Sequence, residues 1–571
     1  MDPRTPFLAN GGEAEEDYAP ARTWSDVKRV LSTESGKLWM FASMVAFDAI
    51  CQFGVSFMTI VFVGHIGEIE LSAVSISLSV IGIFSFGFLL GMSSALETLC
   101  SQAFGAGEVN KLGIYMQRAW IISLVSCLVF LPIYIFATPV LRLLGESEEV
   151  AVSAGEFTLL TIPQLFSLAF TFPTTKFLIA QGKVVVMTSI GFSALLLHVF
   201  MLWLFIIVFG WGTNGAALAF NITNWGTAIS LIVYVVGWCN EGWSGLSWLA
   251  FRDIGAFVRL SIESAVMICL ELWYMMSIIV LSGRLDNDVI AVDSLSICLN
   301  VNNVELMLFV GVNIAISMIV GTELGKGRPR AAKYSVYVAL FESLIIGLVF
   351  MVAVIIARDH FAIMFTNSQV LQRAVSKLAY LLGITMVLNG VQQVLTGVAI
   401  GGGWQRTVAY INVACYFIFG IPFGYFLGYG ANLGVMGLWS GMIAGSALQT
   451  LCLMFLVYKI DWNREVEETT ERLQRWGGNG TTTKDTQHKD ECICSNSRQL
   501  RTERIPHPVF SLSTIFIPPI KMQLYSIGAY TSGSSAHKQQ FRDIIWITRW
   551  CERKLSKSLG KGRRNVMKDE L

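Results

Sequence analysis

The sequence predicts an all-α polytopic membrane protein: twelve transmembrane helices in two six-helix lobes, with both termini cytosolic. Three observations predict it. Apolar runs of span length, separated by short polar turns, recur from Leu38 to Tyr458. Runs of about 18 or more apolar residues mark transmembrane helices, and a lipid-exposed backbone must satisfy its own hydrogen bonds, which makes such spans helical. The composition agrees, with 54% of the 571 residues hydrophobic and 14% charged, a balance that excludes a soluble enzyme. Finally, a stretch of the first half echoes one of the second at a fixed offset, which gives the two lobes.

In order, the span cores are residues 38–63, 71–99, 116–138, 157–180, 186–209, 215–238, 260–281, 289–320, 334–356, 378–400, 408–427 and 435–458. The second and eighth exceed what one crossing needs, so they are expected to tilt or to extend past the bilayer. Pro163 and Pro173 in the fourth span and Pro422 in the eleventh should kink their helices. Glycines such as Gly87, Gly91, Gly311, Gly397 and Gly401 allow close helix packing. The sequon Asn221-Ile-Thr223 falls inside a span, so no glycan is expected there.

Orientation follows the Lys/Arg count in short loops. With the N-terminus inside, the inner loops hold Lys111, Arg118, Lys176, Lys183, Arg252, Arg259, Lys326, Arg328, Arg330, Lys333 and Arg406. The outer ones hold Arg142, Arg284, Arg358, Arg373 and Lys377, so the bias is eleven to five. An even number of spans then puts the C-terminus inside as well.

The internal echo is gapless. Gly91, Ala95, Gly105 and Gly107 align on Gly311, Ala315, Gly325 and Gly327 at an offset of 220, and Gly212 and Gly215 echo Gly434 and Gly437 at 222. Six spans per half keep both halves in one orientation, as parallel repeats about an axis along the membrane normal. The expected divisions are an N-terminal tail at 1–37, an N-lobe at 38–238, a linker at 239–259, a C-lobe at 260–460 and a C-terminal tail at 461–571.

The net charge of +1 and the lack of a basic tract argue against nucleic acid as a partner. Residues 1–37 lack a signal-peptide core, so the first span serves as its own insertion signal. Eight of the eleven cysteines, among them Cys51, Cys269 and Cys415, lie in candidate spans and read as small hydrophobes, without disulfides. Cys492-Ile-Cys494 with His488 and His507 is too loose to read as a metal cluster. Residues 461–478 are charged and suit a short amphipathic helix, and 479–571 have no span-length apolar run. The chain ends in Lys568-Asp-Glu-Leu571, the spelling of an ER-retrieval signal. The receptor reads that signal from the lumen, so a cytosolic C-terminus leaves it silent.

Two carboxylates stand out between Leu260 and Val320, where almost every other side chain is apolar or small: Glu271 and Asp293. Glu271 lies near the middle of its span, ~16 Å from either end at 1.5 Å per residue. A charge there costs about 2.5–3.5 kcal/mol, and such residues face a cavity or a partner. Glu271 is therefore a neutral hydrogen-bonded group or a binding site for a cation or proton. Asp48 in the first span titrates or pairs across a cavity. Glu97, near the cytosolic end of the second span, is a gate candidate or an interfacial carboxylate. His198 reads as a structural, hydrogen-bonded histidine, and Glu305 as a cavity-lining group.

Five segments carry a family resemblance: Ser264–Tyr274 (SAVMICLELWY), Asp293–Asn300 (DSLSICLN), Ser94–Gly107 (SALETLCSQAFGAG), Leu388–Gln405 (LNGVQQVLTGVAIGGGWQ) and Ala409–Gly428. In this order they resemble the multidrug and toxic compound extrusion (MATE) family, in its plant DETOXIFICATION branch. The resemblance implies two six-helix lobes around a V-shaped cavity that export small organic compounds, such as xenobiotics or secondary metabolites, by proton antiport. The proton gradient is then the only driving agent, with no cofactor, no metal and no enzymatic step. It implies proton coupling at Glu271 and Asp293. Asn389 stands where some plant relatives have an Asp, and it hydrogen-bonds but does not titrate. Asn389, Tyr274, Asn300, Glu305, Gln392 and Asp48 are the cavity and substrate candidates, and Glu97 the gate candidate. Ile319 replaces an Arg usual in relatives, Gln393 a Pro, and Met44 a further Pro. The expected setting is a monomer, multi-pass in the vacuolar or plasma membrane, in contact with lipid, substrate and protons. An anion channel or uniporter on the same scaffold is the alternative.

Overall fold

The computed structural model describes residues 17–252, 254–282, 288–366 and 368–476. They form long helices: α1 (Trp24–Val63), α2 (Glu68–Gly105), α3 (Val109–Ile135), α4 (Glu148–Leu160 with Ile162–Ala180), α5 (Val184–Val208) and α6 (Gly212–Trp238). The second half supplies α7 (Ile254–Ser282), α8 (Asp288–Gly325), α9 (Pro329–Ala357), α10 (Gln369–Gly402), α11 (Gln405–Gly430) and α12 (Gly434–Lys459). An amphipathic helix, α13 (Trp462–Trp476), follows. With α4 taken as one broken crossing, twelve apolar helices of membrane length stand among the described residues. This is the expected all-α class. The retrieval-like C-terminus, the Cys492 cluster and Arg284 lie outside the described residues.

α1 begins at Trp24 instead of Leu38. Thr23 caps it, its Oγ1 accepting from the Asp26 N–H at 3.3 Å while Asp26 Oδ2 accepts from the Thr23 N–H at 3.1 Å. This reciprocal cap starts a helix in polar sequence, where hydropathy reads nothing. α4 bends by 49° at Thr161, beside Pro163. α6 repairs the break: Asn221 donates to the Leu160 carbonyl at 2.6 Å and accepts from the Gln164 N–H at 3.0 Å, and Trp225 donates to the Pro163 carbonyl at 2.8 Å. Pro173 sits inside the unbroken second part of α4.

The loop count used for orientation needs correction. Lys176 is not a loop charge: it lies in α4, is 5% exposed, and pairs with Glu97 of α2 at 2.5 Å. Lys176 therefore drops out of that count, as does Arg118, which lies in α3, is 6% exposed and donates to the Leu249 and Arg252 carbonyls at 3.4 and 2.9 Å.

The echo at an offset of 220 has a geometric counterpart. Gly91 of α2 packs on α7, where an added Cβ would lie 2.5 Å from the Ala265 Cα. Gly311 of α8 packs on α1, where a Cβ would lie 2.4 Å from the Ala42 carbonyl oxygen. Equivalent glycines thus seat α2 against α7 and α8 against α1.

The face that carries both tails is stitched shut. Asp17 accepts from the Arg330 and Ala331 N–H groups at the start of α9, both at 3.0 Å. Glu34 of α1 takes bonds from Tyr18 and Lys37, at 2.7 and 2.8 Å, and from Ser335 of α9 at 2.5 Å. From α2, Thr98 donates to the Ile400 carbonyl at 2.5 Å and Gln102 to the Gly401 carbonyl at 2.8 Å. Arg472 of α13 reaches both helices, at 3.0 Å to Gln102 Oε1 and 3.1 Å to the Gly402 carbonyl.

Candidate functional site

Glu271 is the centre of a polar cluster in the second half. On α7 it sits one turn before Tyr274, so both share a helix face. From α10, Gln392 and Gln393 each donate from Nε2 to Glu271 Oε1, at 3.0 and 3.2 Å. Gln392 Nε2 also donates to the Tyr416 hydroxyl at 2.7 Å. Tyr416 lies in Val413–Gly420, where α11 loosens into wider i→i+5 turns. Such turns re-aim side chains and recur at functional sites.

The Tyr416 ring stacks on Tyr274, with centroids 4.0 Å apart and planes 8° from parallel. The Tyr274 hydroxyl donates to the Met442 carbonyl of α12 at 2.8 Å. Gly420 and Gly445 leave it the room, since a Cβ on either would fall 2.4 or 2.3 Å from that hydroxyl. Asn313 of α8 holds Gln393, donating to its carbonyl oxygen at 2.8 Å and to its amide oxygen at 3.2 Å. Five helices thus position one carboxylate. Glu271 is half-buried, whereas Gln392, Tyr274 and Tyr416 are buried.

The other candidates fall elsewhere. Asn389 donates to Asn302 of α8 at 3.0 Å, and both are buried. Asn300 is exposed and returns its amide to the Ser296 carbonyl at 3.0 Å. Asp293 is also exposed, near the start of α8. Twenty residues of α8, roughly 30 Å of helix at 1.5 Å per residue, separate Asp293 from Asn313. The structure does not bring Asp293 and Glu271 together. Glu305 is 1% exposed, and no donor among the described residues reaches either carboxylate oxygen.

In the first half, Asp48 is 5% exposed and accepts from Gln52 at 2.7 Å. Its Oδ1 lies against Gly191 of α5, where a Cβ would be 2.2 Å away. Glu97 is buried in its ion pair with Lys176. His198 bridges Thr59 and Thr223, each at 2.9 Å, in a hydrogen-bonded structural role. No group of three or more His, Cys, Asp or Glu suited to a metal ion occurs among the described residues.

Sequence reasoning did not single out Tyr416, Asn313, Asn302 or Lys176 as partners. For Lys176 a signal existed: a lysine inside an apolar run needs a counter-charge, and Glu97 is the acid of the preceding spans that supplies it.

A sequence profile of the MatE family matches residues 45–204 and 264–426. The chain belongs to the MatE family. This MATE chain is 76% identical over 485 residues to Protein DETOXIFICATION 35 of Arabidopsis thaliana, covering 85% of this chain and 99% of the relative. It is 57% identical over 463 residues to Protein DETOXIFICATION 34 of the same plant, covering 81% and 85%. Its fold matches the crystal structure of the eukaryotic MATE transporter AtDTX14 with a TM-score of 0.74 and 31% identity, over 78% of this chain and all of that one. An outward-facing multidrug resistance MATE transporter of the MOP superfamily shares the fold, with a TM-score of 0.67 at 15% identity. The MATE chain is a multi-pass membrane transporter rather than an enzyme.

Proposed function

We propose that this MATE transporter exports small organic compounds by proton antiport, with its two halves rocking about a shared axis. The observation that carries the reading is the Glu271 cluster: a half-buried carboxylate inside a span, held by two amide donors on a neighbouring helix. An ionised Glu271 accepts strongly from Gln392 and Gln393, because hydrogen bonds to a charged acceptor are roughly twice as strong as neutral ones. A proton on the carboxyl removes that charge and loosens both amides. Gln392 passes the change to Tyr416, and through the stacked ring to Tyr274 and α12. Protonation thereby biases the packing of α7, α10, α11 and α12.

In this reading the tail face is cytosolic, and the α2–α10–α13 contacts close it while the other face is open. Protons enter at Glu271 from the open side and displace the exported compound. The transporter works as a monomer in the vacuolar or plasma membrane and needs only the proton gradient. The test is flux in proteoliposomes loaded with ethidium. Efflux that requires an imposed pH gradient and acidifies the lumen in step supports antiport. Current or dye flux that persists without a gradient, and is indifferent to one, overturns it in favour of a channel or uniporter.

A further inference from the structure

Five carboxylates are buried among the described residues: Glu34, Asp48, Glu97, Glu305 and Glu323. Four have partners. Glu34 holds Lys37 and Ser335, Asp48 holds Gln52, Glu97 holds Lys176, and Glu323 holds Arg328 at 2.7 Å. Glu305 is the exception, with neither oxygen within reach of a donor. It lies near the middle of α8, on the face where Asn302 and Phe309 meet Asn389 and Gly390 of α10. The charged groups inside the spans packed on α8 are spoken for: Asp48 by Gln52, Glu97 and Lys176 of α4 by each other, Glu271 of α7 by Gln392 and Gln393, and Glu342 of α9, which accepts from Trp39 at 2.9 Å. α10 carries no charged residue after Lys377.

An ionised carboxylate in this position, with no counter-charge and no donor, costs several kcal/mol. Glu305 is therefore protonated in this conformation. A carboxylic acid kept for structure would use its O–H or its C=O in a hydrogen bond, and this one uses neither. We propose that Glu305 is a second proton-binding site, separate from Glu271. Proton entry forms one O–H bond at a Glu305 oxygen; release to the opposite side breaks it once movement of α8 against α10 admits water. Asn302, one turn before Glu305, is the nearest polar group on the same side of α8, and it is held by Asn389 at 3.0 Å. The coupling of this proton to export rests on the antiport reading above; the protonation itself does not.

The experiment is infrared difference spectroscopy of the full-length transporter in proteoliposomes, between acidic and alkaline buffer. The expected result is a carbonyl band of a protonated, hydrogen-bond-free carboxylic acid. It disappears in E305Q, remains in E271Q, and moves in E305D, the variant that stands in should E305Q fail to fold. A spectrum of E305Q or E305D superimposable on that of the unaltered protein overturns the proposal. If the Glu305 band titrates while ethidium efflux ignores the pH gradient, the antiport reading falls and the proton site stands.

Discussion

Gly105 and Gly325 occupy each other's counterpart positions in one crossing. A Cβ on Gly105 of α2 would lie 2.1 Å from the Thr322 carbonyl oxygen of α8, and a Cβ on Gly325 of α8 would lie 2.1 Å from the Gln102 carbonyl oxygen of α2. Each residue and its contact are shifted by the same 220 positions, from 105 to 325 and from 102 to 322. The echo in the sequence is thus a two-fold contact in space, with one glycine from each half at the point of closest approach.

The crossing tolerates no side chain, because backbone atoms stand opposite on both sides and neither can move like a side-chain tip. In Gly325→Leu the helices must separate and the tail face opens. Ser101 is fully buried there, against Gly321. A cysteine placed by Ser101→Cys is expected to resist a membrane-impermeant maleimide in the otherwise unaltered chain and to react quickly with Gly325→Leu added. Continued protection in the double variant would show that the crossing is not the seal.

Glu271→Gln should insert and fold, since Gln keeps the shape and loses only the charge. Gradient-driven efflux is expected to vanish. Tyr416→Phe should retain transport at a reduced rate, because Gln392 keeps its bond to Glu271. Asp293→Asn should have the mildest effect of the three, since Asp293 is exposed and far along α8. Ethidium flux at a fixed pH gradient measures all three; a Glu271→Gln variant with unchanged, pH-dependent flux would refute the assignment.

The Glu97–Lys176 pair sits in a different energetic class from surface pairs, with both side chains under 10% exposed. Removing one partner of a buried pair costs about 3–5 kcal/mol, through the charge left behind. Lys176→Met should accordingly lower the unfolding temperature in detergent steeply. Adding Glu97→Gln should recover most of the loss. A Lys176→Met variant as stable as the parent would mean that water reaches Glu97.

The class of fold was legible because crossing a bilayer imposes length and apolarity on each segment, and both are written locally. The contact of the repeats was half legible: the offset could be read, but not that Gly105 would face Thr322. Helix ends were missed where polar sequence continues a helix, as from Trp24 to Lys37, because hydropathy measures only the lipid-crossing part. At the site, Glu271 announced itself by the cost of a charge in its span. Its partners did not, since Gln392 and Tyr416 are ordinary residues made special by a neighbouring helix. The expected pairing of Glu271 with Asp293 in one site rested on their nearness in sequence and on resemblance, and the long α8 carries Asp293 away.

α13 brings a pH dependence of its own, outside the spans. Burial holds the Glu465 carboxyl above its ordinary value, against the pull of its bond from Trp404 at 2.9 Å. A raised acid favours the docked helix while it is protonated. Docking is therefore firmest below the ordinary glutamate range and weakens as pH rises through the raised value. Hydrogen exchange of α13 is expected to quicken across that interval, beyond the intrinsic change with pH, and to lose the extra dependence in Glu465→Gln. Equal behaviour of the two proteins would remove Glu465 from the account.

The tails bear on how the transporter closes. Arg472 is the one α13 side chain that bonds both α2 and α10 in the hydrogen bonds described above, so it ties the first half to the second at the closed face. Its burial disfavours the charged form, and the oxygens of Gln102 and Gly402 take up its donors in place of water. Opening this face pulls Gln102 away from Gly401 and must break the Arg472 bonds at the same step. Removing α13 should then ease opening. Truncation after Gly478 keeps α13 and deletes everything beyond, including the retrieval-like Lys568–Leu571, and is expected to leave localisation and ethidium efflux unchanged. Truncation after Asp461 deletes α13 as well, and should raise maleimide labelling of Ser101→Cys from the tail side and alter the efflux rate. Arg472→Ala in the full chain should reproduce the labelling in part. If truncation after Gly478 moves the protein out of the ER, the C-terminus is lumenal and the cytosolic tail face proposed here is wrong. If truncation after Asp461 leaves Ser101→Cys protected, α13 rests on the closed face without holding it.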